Sequence, residues 1–155
     1  MKFPNILQPL TVHAHCDIPC GIYSEHPSQM AADTVLKMVE KIEALPKDDI
    51  HSLIRMTIIK EEHAELCKRE LLILWTDYFK PEHLSKYPGL HDKIWNAAKL
   101  CSKNKQEISM EAAKSLQEAV HEIGHIFEET QKSKLADDLA AQKDKNKWAQ
   151  HGTTA

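Results

Sequence analysis

The chain has 155 residues, 42% of them apolar and 28% charged, with a formal net charge of −3. That length supports one domain with a real core and is too short for two, and mild acidity gives no ground for nucleic acid or an anionic membrane as partner. Glycines number four, β-branched runs are scarce, and no stretch reaches the roughly 18–20 apolar residues of a membrane span, so an all-α fold is expected.

The opening segment, "MKFPNILQPLTVHA", has one lysine, two prolines and no continuous apolar run of about 7–15 residues, which makes it a poor secretory signal. Next comes "HCDIPCGIY", residues 15–23, with two of the four cysteines. Pro19 forces a turn between Cys16 and Cys20, so both sulfurs can reach one point, and Gly21 relieves the backbone just beyond. On spacing alone a disulfide, two unconnected thiols and a metal hook all stay open.

Then "HPSQMAADTVLKMVEKIEALP" carries a helical stripe through Met30, Val35, Met38, Val39, Ile42 and Leu45, with Ser28 as the expected cap and Pro46 as the stop. From Asp48 or Asp49 a second helical pattern runs about thirty residues through Ile54, Ile58, Leu66, Leu72, Leu74, Trp75 and Tyr78. "KPEHLSKYPG" breaks it. A third helix is expected at about 90–103, with Ile94, Trp95, Ala98 and Leu100 apolar. The fourth is expected at about 109–130, using Ala112, Leu116, Val120, Ile123, Ile126 and Phe127. Four amphipathic helices with short links read as an antiparallel four-helix bundle. Beyond Gln131 the chain turns polar and lysine-rich, a solvated tail with room for one marginal helix. Cys67 and Cys101 fall in helical patterns as buried thiols, and four dispersed cysteines point to a reducing cytoplasmic setting.

Two constellations compete for the chemistry. "HEIGH", residues 121–125, has the His-Glu-x-x-His spacing of zinc proteases. Yet it lies within an amphipathic helix that the fold already needs, and no third ligand follows except Glu128 and Glu129; it reads as coincidence. The hook offers more. Were the chain cut between Ala14 and His15, that residue would supply an α-amino group and an imidazole, Cys16 an amide nitrogen and a thiolate, and Cys20 a second thiolate. Two nitrogens and two sulfurs in a plane suit a d⁸ ion such as Ni(II), and such strong donors lower the potential of its oxidation. Zinc would prefer a tetrahedral set and would do no redox work.

"HCDIPCGIY" resembles the hook of nickel-containing superoxide dismutases, which begins His-Cys-Asp-x-Pro-Cys-Gly-x-Tyr once a propeptide is removed. "IKEEHAEL" (59–66) and "LWTDYFKPEHLSKYPGLH" (74–91) are similar to that family's second helix and following turn, and the resemblance covers about residues 15–130. It implies disproportionation of superoxide to oxygen and hydrogen peroxide through a Ni(III)/Ni(II) cycle, with one nickel per subunit. The ligands implied are His15, Cys16 and Cys20; Tyr23 and Tyr78 match the tyrosines lining the approach, and Lys80 a lysine at its mouth. The family's bundle assembles as a homohexamer, and a maturation peptidase cutting Ala14–His15 is implied as a partner. The domains expected are a propeptide (1–14), the hook (15–23), the bundle (24–131) and the tail (132–155). One departure stands out: the glutamate and arginine that brace the axial imidazole in some members fall on Ala31 and His63 here. The rival expectation is a non-enzymatic helical bundle using Cys16 and Cys20 for metal storage or thiol redox sensing.

Overall fold

The computed structural model describes residues 22–151, with side chains for all of these except 137, 138 and 141–151. The expected propeptide and the ligands His15, Cys16 and Cys20 lie outside the described residues. Helix α1 spans His26–Glu43. Ser28 does not cap it: Pro27 fits the first turn, where its missing N–H costs nothing, and so draws the start earlier, to a cap position at Glu25. Ser28 instead lies buried in that first turn, its hydroxyl donating to the Glu25 carbonyl at 2.7 Å. Pro46 follows two residues after the Ala44 cap, as expected.

Helix α2 spans Ile50–Ile73, and Asp49 caps it by accepting the Ser52 N–H at 3.0 Å. It runs on into a π-helical turn, Leu74–Tyr78, closed by the Phe79 N–H on the Leu74 carbonyl at 2.9 Å. Lys80 is then extended (φ −125°, ψ 164°), as the residue before a proline prefers. The stretch expected to be irregular contains a short helix α3, Pro81–Lys86. Helix α4 spans Leu90–Gln106, and α5 spans Met110–His151. The polar tail is thus helix, continuous with α5, because residues 132–151 contain no glycine or proline and are rich in Ala, Lys and Gln. Leu135 and Leu139 on it are exposed.

Helix α1 packs on α2 and α5, and α4 packs on the same two, so the four long helices close a ring. The core inside it includes Val35, Val39, Ala64, Cys67, Leu71, Ile94, Ala97, Cys101, Leu116, Val120, Ile123 and Phe127. Alanines and cysteines at the centre let the backbones approach closely. Five residues expected on core stripes are instead exposed: Met30, Ile54, Ile58, Leu72 and Trp95, at 41–56%. On α2 the inward row is Lys60, Ala64, Cys67 and Leu71, which leaves Ile50, Ile54 and Ile58 as a separate outward row at i, i+4 and i+8.

The charged member of that inward row has a specific task. Lys60 is 1% exposed, and its ammonium donates to the Asn104 carbonyl and, at 2.9 Å, to the Glu107 carbonyl. These acceptors at the C-terminal end of α4 have no helical donor left. Burial pushes the Lys60 pKa down, with Glu61 and Glu107 opposing. Asn104, buried beside it, donates to the Leu100 carbonyl at 3.0 Å and the Ala112 carbonyl at 2.9 Å, stitching α4 to α5. Lys60→Met keeps the volume but orphans these carbonyls. It should lower stability by about 2 kcal/mol in urea unfolding followed by circular dichroism at fixed protein concentration.

Candidate metal centre

Tyr78 closes the π-helical turn, and both it and Phe79 are buried. Its ring is packed on every side. Phe127 of α5 lies 4.4 Å away between centroids, Phe79 5.2 Å at 73°, and His83 of α3 5.5 Å at 23°, a stack. On the side of the chain that leads back to the hook, the half-buried Tyr23 ring sits 5.6 Å away, tilted by 54°. The Tyr78 hydroxyl is 2.7 Å from the Thr130 hydroxyl, which itself donates to the Phe127 carbonyl at 2.7 Å. Burial raises the Tyr78 pKa, the Thr130 hydrogen bond opposes that and the negative charge of Glu25 adds to it. Tyr78 is therefore a neutral phenol at physiological pH.

His83 ties this wall to the next loop. Its Nδ1 accepts the Lys80 backbone N–H at 3.2 Å, so the neutral ring carries its proton on Nε2. Burial lowers its pKa; Glu82 opposes the shift, and Lys80 and Lys86 reinforce it. The expected site residues thus divide. Tyr23 and Tyr78 meet as ring neighbours, whereas Lys80 is exposed at the head of α3 and its positive charge is felt at His83. The loop after α3 is pinned in turn by the Tyr87 hydroxyl, which donates to Glu129 of α5 at 2.5 Å.

The "HEIGH" residues have structural work instead. His121 Nε2 lies 3.2 Å from Asp33 Oδ1, Glu122 pairs with Lys93 at 2.5 Å, and His125 is exposed. A Cβ on Gly124 would meet the Gln29 side chain, so this glycine is where α1 comes close to α5. Among the described residues no group of three or more His, Cys, Asp or Glu could hold a metal ion. Cys67 and Cys101 are fully buried, and a thiol–thiol hydrogen bond together with burial pushes the Cys67 pKa up, so it stays a protonated thiol.

The sequence profile of nickel-containing superoxide dismutase matches residues 10–131. The chain belongs to that family. It is 41% identical over 122 residues to the Superoxide dismutase [Ni] of Streptomyces seoulensis, covering 79% of this chain and 92% of that one. The Streptomyces coelicolor enzyme of the same name is 39% identical over 124 residues, covering 80% and 93%. Among solved structures, a Ni-containing superoxide dismutase with nickel ligation corresponding to the oxidized state aligns at a TM-score of 0.71 and 41% identity, covering 76% of this chain and 99% of that one. The native nickel superoxide dismutase structure at 1.30 Å aligns equally well, at 38% identity.

The structure accounts for the residues at the two positions where the resemblance leads one to expect a bracing glutamate and arginine. Ala31 is 1% exposed in the core, where a glutamate would be a buried charge. His63 is half-buried and donates from Nδ1 to the Ile59 carbonyl of its own helix at 2.9 Å. Sequence reasoning missed Thr130 and His83. A threonine in the core register of α5, three residues after Phe127, was the available signal for the first; His83 was read only as part of a turn. Because its folded pKa is depressed, neutral His83 contributes stability that is present above its unfolded value of about 6.5 and lost as pH falls through the folded value. His83→Gln keeps an acceptor for the Lys80 N–H but cannot titrate. Its urea midpoint should fall less than wild type's between pH 7.5 and pH 5.

Proposed function

We infer that His15, Cys16 and Cys20 hold the nickel on which this chain works, after cleavage between Ala14 and His15 frees the α-amino group. The chain is a superoxide dismutase, converting two superoxide ions and two protons to oxygen and hydrogen peroxide, with nickel as cofactor. The donor set fits that ion: the His15 amine and imidazole, the Cys16 amide and thiolate and the Cys20 thiolate would hold it, and such strong donors would lower the potential of its oxidation. Nickel bound there supplies the one-electron couple. The protein supplies the rest.

The observation that carries the site assignment is the Tyr23–Tyr78 pair, 5.6 Å between ring centroids. Cys20 is three residues from Tyr23, and three residues span at most about 11 Å between Cα atoms, so the chain keeps the hook within reach of this pair. Two phenols beside a small anion can order the water that delivers protons without ligating the metal. Lys80, exposed at the head of α3, gives a local positive field that raises the encounter rate of an anionic substrate. Residues 1–14 act as a propeptide removed by a maturation peptidase, 15–23 are the nickel hook, 24–131 the bundle and 132–155 a polar C-terminal tail. Uncut protein should bind nickel poorly and show little dismutase activity, and cut protein should carry one nickel per chain. Intact mass, metal analysis and an activity assay on both forms check this. Full activity in protein retaining Met1 sinks the amine-ligand assignment, and a Cys16–Cys20 disulfide in fresh protein would favour the storage or redox-sensing reading.

The outward isoleucines support self-association. Ile50, Ile54 and Ile58 are each more than half exposed, beside a cleft of about 240 Å³ lined by Met38, Met56 and Ile59. A row of this kind on one chain is a surface that a second copy would cover. The assembly proposed is the homohexamer, in the cytoplasm; no helix among the described residues is long and apolar enough to cross a membrane. Ile54→Lys should shift the sedimentation coefficient toward smaller species while leaving the helical circular dichroism of each chain in place.

A further inference from the structure

We infer that Thr130 is a positioning residue for dismutation, setting the direction of the hydrogen bond at Tyr78 so that this phenol offers only lone pairs toward Tyr23. The inference rests on the role given to Tyr78 above. The argument is one of counting protons. The Thr130 hydroxyl has a single proton, and its Oγ1 lies 2.7 Å from the Phe127 carbonyl, which can only accept. Thr130 is 3% exposed, so water does not compete for that carbonyl. The Thr130 proton is therefore committed to Phe127. Its lone pairs face the Tyr78 oxygen at 2.7 Å, and the only proton left for that contact is the phenol's own.

The chain of bonds thus runs one way, from Tyr78 to Thr130 to the backbone of α5. Tyr78 cannot turn its proton toward the substrate without abandoning a buried acceptor. Tyr78 therefore acts on the substrate side through a water that it holds by accepting from it, and not as a direct proton donor. Phe127 and His83 packed against the Tyr78 ring keep the phenol from swinging out of this arrangement.

The test uses the processed, nickel-loaded enzyme with turnover expressed per bound nickel. Thr130→Val preserves shape but removes the acceptor, and should lower kcat about tenfold, the scale of one well-aligned hydrogen bond. Thr130→Ser should restore most of it. In a Tyr78→Phe background, Thr130→Val should cost nothing more; an equal loss in both backgrounds would mean a merely structural role and overturn the inference. Tyr78→Phe with undiminished turnover defeats the role of Tyr78 itself, whereas an impaired Tyr78→Phe beside an unimpaired Thr130→Val defeats only this inference. Neutron diffraction on the wild-type enzyme reads the direction without any variant. A deuteron on the Tyr78 oxygen pointing at Thr130 supports the assignment, and one on Thr130 pointing at Tyr78 overturns it.

Discussion

A buried phenol must place its one proton somewhere, and at Tyr78 the ring's position in the bundle leaves Thr130 as the place. That single contact joins the end of α2 to α5 and sets which way the wall beside the hook is polarised. The packing around it follows. The π-helical turn leaves Tyr78 and Phe79 both buried, Phe127 fills one side of the phenol, and α3 folds back so that His83 stacks on it. A regular α-helical turn at 74–78 would rotate these side chains differently, which is why a wider turn is worth its poorer hydrogen-bond geometry here.

On the proposed assignment, the chemistry divides between a hook that would carry the donors and a bundle that carries the paired phenols. The donors would then include an amine that exists only once the chain is cut between Ala14 and His15. The bundle needs no such event: its core and caps are complete without the first 21 residues. At the α4–α5 corner the Lys60 ammonium and the Asn104 amide N–H groups donate to four carbonyls, while the Asn104 Oδ1 is buried without a partner.

The two positions at which the resemblance leads one to expect a glutamate and an arginine are occupied here for physical reasons. Ala31 fills core volume where a carboxylate would be desolvated, and His63 satisfies its own ring nitrogen on a carbonyl one turn back. Neither leaves a buried charge behind. The acid and base of "HEIGH" are likewise neutralised by α1 and α4 partners, Asp33 and Lys93, so this motif is a seam between helices.

The sequence by itself determined the helical class and the starts of the four long helices, because periodicity and capping residues are local properties of the chain. It also paired Tyr23 with Tyr78, though through resemblance to a family and not through spacing. It misjudged which apolar residues face inward, since Ile54, Ile58 and Trp95 have the same hydropathy as core residues and only the partner helices decide which face is used. The π-helical turn and the burial of Lys60 were not legible for the same reason, whereas the helical tail was written in its own composition and only its polarity made it read as a solvated end. Thr130 and His83 became visible only when residues 52 and five positions away from Tyr78 were brought onto one ring, because a hydrogen bond's direction depends on every acceptor in reach, and that is fixed by tertiary structure alone.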